Sequence, residues 1–217
     1  FHRKTNAIGK PLFPNNGKPN FTDIHQGYTD LDCYFLSVLS GLAKNNPQAI
    51  LDCFPGYPLD GNKEKIDKFN NSQKIKVRLF KTKSLNNSIV ADGSVLIILD
   101  KTTLKKESAP WVGFLRKAWA VYRNKGFDSG LFKGGKKRKI NSRIIDGLKG
   151  SDSKVVITAL TGVSANCKYQ CFSKSPKKFS GEYNKDALAL FDEIKDNIDK
   201  KKTLVTTAYR GRFQLYK

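Results

Sequence analysis

Two stretches of this chain repeat apolar residues at helical spacing, and two runs between them carry strand-type residues. From Asp32 onward, Cys33, Leu36, Val38, Leu39 and Leu42 fall mostly three or four apart, which predicts a core helix with Asp30 or Asp32 as its cap. In Pro110 to Tyr122 the apolar positions are Trp111, Val112, Phe114, Leu115, Ala118, Trp119 and Tyr122. This is a second core helix, with Pro110 suited to its first turn. Between them, Lys76 to Phe80 alternates and Val95 to Leu99 is a short apolar run rich in β-branched residues, so both read as strands that pair in a small sheet. The pattern as a whole is α+β.

The remaining segments are read more coarsely. Residues 1 to 22 are rich in Pro, Gly and Asn and read as an irregular arm or surface wrap. Lys125 to Gly150 is Gly-rich and basic, a loop region. Asp186 to Ile198 spaces Ala187, Leu190, Phe191, Ile194 and Ile198 as an amphipathic helix, and Thr203 to Ala208 reads as a strand opening a further layer. The expected organisation is an arm over 1–22, a main unit over 23–202, and the start of a second unit over 203–217.

A chain of 217 residues with 39% hydrophobic content can bury one sizeable core. Its apolar runs stay well short of the roughly 18 to 20 residues a membrane helix requires, so no transmembrane segment is expected. Phe1-His2-Arg3-Lys4 is basic but leads into no apolar signal stretch, and the chain contains no Met, so it reads as a mature or excised piece of something longer. Four cysteines, Cys33, Cys53, Cys167 and Cys171, are sparse for a disulfide framework. They suit the cytoplasm or another reducing compartment, or a secreted effector delivered into one. With only His2 and His25 beside them, a Cys/His metal cage is not expected.

The formal charge of +21 would draw the protein to an anionic surface or partner. Its densest run is Lys133-Gly134-Gly135-Lys136-Lys137-Arg138-Lys139. No aromatic residue interleaves Lys136 to Lys139 as a base-stacking platform would require, so specific nucleic-acid recognition is not favoured.

Cys33 begins a helix, where aligned peptide dipoles and free N–H groups favour the thiolate over the thiol. Gln26, a few residues upstream and followed by Gly27, supplies a side-chain amide that could join the Cys33 backbone N–H in holding an oxyanion. The stretch Asp23-Ile24-His25-Gln26-Gly27-Tyr28-Thr29-Asp30-Leu31-Asp32-Cys33-Tyr34-Phe35-Leu36-Ser37 resembles the active-site segment of calpain-like, papain-type cysteine proteases. In that family Asp-Ile-x-Gln-Gly precedes Gly-Asp-Cys-Trp/Tyr-Phe/Leu-Leu. Pro110-Trp111-Val112-Gly113-Phe114-Leu115-Arg116-Lys117-Ala118-Trp119-Ala120 is similar to the family's Leu-Trp-Val-Pro-Leu-Leu-Glu-Lys-Ala-Tyr-Ala helix. Ile145-Asp146-Gly147-Leu148-Lys149-Gly150 and Leu160-Thr161-Gly162 are similar to its Tyr-Glu-x-Leu-x-Gly and Leu/Phe-Thr-Gly-Gly elements, in the same order.

The resemblance implies a papain-like fold whose helical, Cys-bearing lobe with small β elements is present here and whose second lobe, bearing His and Asn, is largely outside the chain. It implies a cysteine endopeptidase with Cys33 as nucleophile and Gln26 in the oxyanion hole, acting on a protein or peptide substrate. The general-base His and orienting Asn would come from a downstream segment or a second chain, since His2 and His25 both precede Cys33; by itself the chain is expected to be inactive. The chemistry needs no cofactor, but the family's calcium regulation points to Asp23 and Asp146 as candidate ligands. Three positions depart from the family: one residue is inserted between Gln26 and Cys33, Arg116 stands where a Glu is usual, and Val163 replaces a Gly. The competing expectation is a catalytically inactive calpain-like module that binds an anionic partner through its basic surface. A third is another Cys/His acyl transfer, such as deamidation or transglutamination.

Overall fold

The computed structural model of the chain describes residues 4–25, 32–86, 88–102, 104–105, 109–128 and 153–165. In chain order these form β1 (Lys4–Thr5), a single 3-10 turn (Phe21–Asp23), α1 (Cys33–Asn45), α2 (Pro47–Leu51), α3 (Lys63–Asn71), β2 (Lys74–Leu85), β3 (Ser88–Asp100), β4 (Leu104–Lys105), α4 (Pro110–Asn124) and α5 (Ser153–Thr161). The architecture is mixed helix and strand, as the α+β pattern implies.

The two expected strands do pair, with Val77 opposite Ile97 and Leu79 opposite Val95. They are the central part of a longer antiparallel hairpin, β2–β3, whose register shifts between Phe80 and Thr82. Period-two alternation sends Ile75, Val77 and Leu79 into the core and leaves Lys74 and Lys76 exposed. α4 and α5 cover the inner face. On the outer face the exposed Leu96 and Ile98 stand opposite Arg78 and Lys76.

α4 carries so much apolar surface that it is buried on nearly every side: Trp111, Val112, Phe114, Leu115, Ala118, Trp119, Ala120 and Tyr122 all lie in the core. Pro110 occupies its first turn as expected. Phe35 of α1 stacks on Trp119 at 5.5 Å between ring centroids, and Trp119 stacks on Tyr122 at 4.9 Å. Beyond Tyr122, its hydroxyl lies 2.9 Å from the carbonyls of both Phe80 and Phe127 and 3.0 Å from Thr82 Oγ1. Burial pushes that phenol up to about 12. It therefore stays protonated and bonds α4 to the hairpin at the point where its register shifts.

Two expectations need correction. Of the segment over 1–22, residues 6–20 are irregular as expected, but they do not merely wrap the surface, because Ala7, Leu12 and Phe13 are core residues. Phe13 meets Phe54 and Tyr57 edge-on at 5.7 and 5.0 Å, contacts between residues too far apart in sequence for any local pattern to reveal. Asp32 does occupy the N-cap position of α1, but its side chain makes no capping hydrogen bond, because an arginine on α4 takes it instead. The expected helix over Asp186 to Ile198 and strand over Thr203 to Ala208 lie outside the described residues, as does most of the Lys125 to Gly150 loop.

Gly162 ends α5 with a φ of +73°, and a Cβ there would meet the Phe80 ring at 2.9 Å. Only glycine lets α5 stop against the hairpin in this way. Among the described residues no helix is long and apolar enough to cross a membrane.

Candidate functional site

The chain enters the candidate site through the turn Phe21–Asp23, which packs against α1. Asn20 opens this turn, its side-chain oxygen accepting from the Thr22 N–H at 3.0 Å. Asp23 is buried, and its carboxylate accepts from Trp111 Nε1 at 2.8 Å, from the Asn20 backbone N–H at 3.3 Å, and from the Asn15 side-chain amide. Trp111 thus fastens the run that leads to Gln26 onto α4. Among the described residues there is no group of three or more His, Cys, Asp or Glu placed to hold a metal ion. Asp146, the other candidate ligand, lies outside the described residues, and so does Gln26.

His25 is described and is exposed to solvent. Asp32 is fully buried and pairs with Arg116, Nε to Oδ2 at 2.6 Å. Arg116 is itself only 7% exposed. The next residue, Cys33, is the first of α1 and is exposed. The helix behind it is fixed: Tyr34, Phe35, Leu36, Val38 and Leu39 are buried, and Trp119 Nε1 donates to the Tyr34 hydroxyl at 2.9 Å. Burial raises the Tyr34 phenol above its usual value, opposed by the Trp119 hydrogen bond and by Arg123.

Cys33 is thus an exposed thiol at the first position of a 13-residue helix. Cys53 is its opposite. It is 1% exposed, its Sγ lies 3.3 and 3.5 Å from the carbonyls of Ala49 and Leu160, and burial pushes its thiol up to about 12. Cys33 is open to solvent, whereas Cys53 is packed into the core. Cys167 and Cys171 lie outside the described residues.

Sequence reasoning located Cys33 and the helix that carries it. It missed that α4 holds both ends of the connecting segment, through Trp111 to Asp23 and through Arg116 to Asp32. A signal was present, for Arg116 interrupts a helix that is otherwise apolar on nearly every side, and a buried arginine demands an anionic partner. Which anion it meets is decided by the packing of α1 on α4. No protein-family model, curated protein or solved structure matches this chain.

Proposed function

We propose that this chain is the nucleophile-bearing part of a calpain-like cysteine endopeptidase with a papain-like fold. The observation that carries the reading is Cys33, exposed at the start of a helix whose far face is locked into the core. In the proposed reaction the Cys33 thiolate attacks the carbonyl carbon of a peptide bond. The electron pair displaced onto oxygen is held by the Cys33 backbone N–H and the Gln26 amide. A His from a downstream segment or second chain, oriented by an Asn, takes the thiol proton and later gives it to the leaving amine. Water then hydrolyses the acyl-enzyme and frees the carboxylic acid.

The first test is thiol labelling of the folded chain with a peptidyl epoxide or iodoacetamide, read peptide by peptide. Cys33 should react far faster than Cys53, Cys167 and Cys171, by at least about tenfold over an unperturbed thiol at pH 7. Equal labelling of all four cysteines overturns the reading.

A second reading, a non-cleaving calpain-like module that holds an anionic partner, is favoured by the hairpin's outer face. There the exposed Lys74 and Lys76 and the half-buried Arg78 run beside the exposed Leu96 and Ile98. It requires salt-sensitive binding that survives Cys33→Ala.

A further inference from the structure

We infer that the outer edge of β3 takes up an extended, acidic peptide segment as a third strand of the hairpin's sheet. This deepens the second reading above, an anionic partner held on the hairpin, and rests on it; Cys33 plays no part. The backbone marks the edge. Arg78 donates its N–H away from β3, to the Cys53 carbonyl at 2.8 Å, so Arg78 and Leu96 form a pair whose N–H and C=O groups face outward rather than across the ladder. Such pairs recur at every second residue, so Leu96 and Ile98 both turn these groups to the outer edge of β3. Nearer the turn that edge is closed, where Ile89 and Ala165 exchange hydrogen bonds at 3.1 and 3.0 Å. Among the described residues, none hydrogen-bonds to the outward groups of Leu96 and Ile98.

The same stretch lacks the features that keep an exposed strand from pairing. Edge strands are blunted by lysines, prolines or bulges. Val95 to Leu99 contains no charged residue, no proline and no glycine, and the register runs unbroken from Lys74–Asp100 to Phe80–Ser94. Leu96 and Ile98 are 51% and 58% exposed. A strand added about 4.8 Å away would cover them with its own outward side chains.

Charge selects the occupant. On the outer face Ile98 stands opposite Lys76 and Leu96 opposite Arg78, while Lys74 faces Asp100. Lys76 and Arg78 therefore set the sign of the strip, and the chain as a whole carries +21. A second copy pairing edge to edge would bring two such fields together, at a cost in repulsion. An extended segment with glutamates on its outward face lays their stems over Leu96 and Ile98 and turns their carboxylates toward the cations of β2. The backbone edge supplies affinity and the cations supply the choice of partner.

The test is fluorescence anisotropy of a short, labelled peptide alternating valine and glutamate, titrated with the folded chain. We expect binding that weakens as salt is raised, and none by a peptide with lysine in place of glutamate. The peptide N-methylated at every residue keeps its carboxylates but loses its backbone donors, and should not bind. In the protein, Ile98→Pro removes an outward donor and spares the β2–β3 ladder, so it should weaken binding by at least about tenfold. Lys76→Glu should weaken it about tenfold, while Lys18→Glu, an equal change of charge in another exposed segment, should leave it within about twofold.

Equal binding of the N-methylated peptide overturns the inference and leaves an anionic partner standing. Vesicles containing phosphatidylserine that bind where neither acidic peptide does overturn it in favour of a lipid surface. No binding to peptides or vesicles removes the second reading as well. Self-association of the parent chain in light scattering, abolished by Ile98→Pro, gives the edge to a second copy and also overturns it. If Ile98→Pro exposes Cys53 to iodoacetamide and so fails to fold, the N-methylated peptide and Lys76→Glu decide: equal binding of the first, or unchanged affinity in the second, overturns it.

Discussion

At the scale of single residues, the side chains that matter most here are polar groups buried with a partner. Asp23 is 8% exposed and takes an indole N–H from Trp111 at 2.8 Å. The bond joins the irregular N-terminal segment to α4, and it is charge-assisted. Trp111→Phe keeps most of the ring's packing and removes only the donor, so the loss reads mainly on the bond. We expect a cost of about 1.5 to 3 kcal/mol in urea unfolding, the range for a hydrogen bond to a charged group. A change under about 0.5 kcal/mol would mean that the other donors to Asp23 suffice without it. Cys33 was readable from sequence because a helix start and a thiol are both local features. The buried pairs Asp23–Trp111 and Asp32–Arg116 were not, because each joins segments far apart in the chain.

At the scale of elements, what could be read depended on how much apolar surface each element buries. α1 and α4 repeat apolar residues over many turns, and their starts at Cys33 and Pro110 fall where the periodicity puts them. α3 gave no such signal: Lys63–Asn71 has only Ile66 and Phe69 as apolar residues, and both are half-buried. α5 is a short apolar run rich in β-branched residues, a composition that does not separate helix from strand. The hairpin beyond Phe80 was hidden because residues 83–86 and 92–94 are exposed and carry no apolar alternation.

At the C-terminal end of α3, capped by Ser72, stands a lysine that directly follows β3. Lys101, 2% exposed, donates from Nζ to the carbonyls of Phe69 and Asn70 at 2.5 and 3.2 Å, a cation at a helix C-terminus. Burial pulls its pKa from the usual 10.5 down to about 8. The sign follows directly: between those values the unfolded chain still holds the proton that the folded chain has released, so stability rises with pH. Below about 8 the cost of burying the charge is present in full. The urea midpoint of the parent chain, taken relative to Lys101→Met, should therefore climb from pH 8 to 9.5. The buried phenols of Tyr34 and Tyr122, raised from 10.0, act in the opposite sense only at higher pH and are common to both proteins. A flat difference across that window would show that the two carbonyls hold the ammonium's proton as firmly as water does.

For the whole molecule, the described residues share one core, and residues 1–22 contribute to it. Ala7, Leu12 and Phe13 are members, and the Ala7 N–H reaches the Lys101 carbonyl at 2.9 Å while the Leu12 carbonyl accepts from the Trp111 N–H at 3.3 Å. The segment therefore touches the hairpin's end and the start of α4 before it arrives, through Asp23, at the approach to Cys33. A thiol is held precisely only if the helix that carries it is held, and α1 leans on α4, which the N-terminal segment helps to seat. Phe13 is the place to test this, since its ring is 2% exposed and meets Phe54, Tyr57 and Trp111. Phe13→Ala should cost about 3 to 5 kcal/mol, the usual range for emptying a buried aromatic site. It should also speed the labelling of Cys53, which neighbours Phe54. If residues 1–22 were instead a detachable wrap, the substitution would cost under about 1 kcal/mol and Cys53 would stay protected.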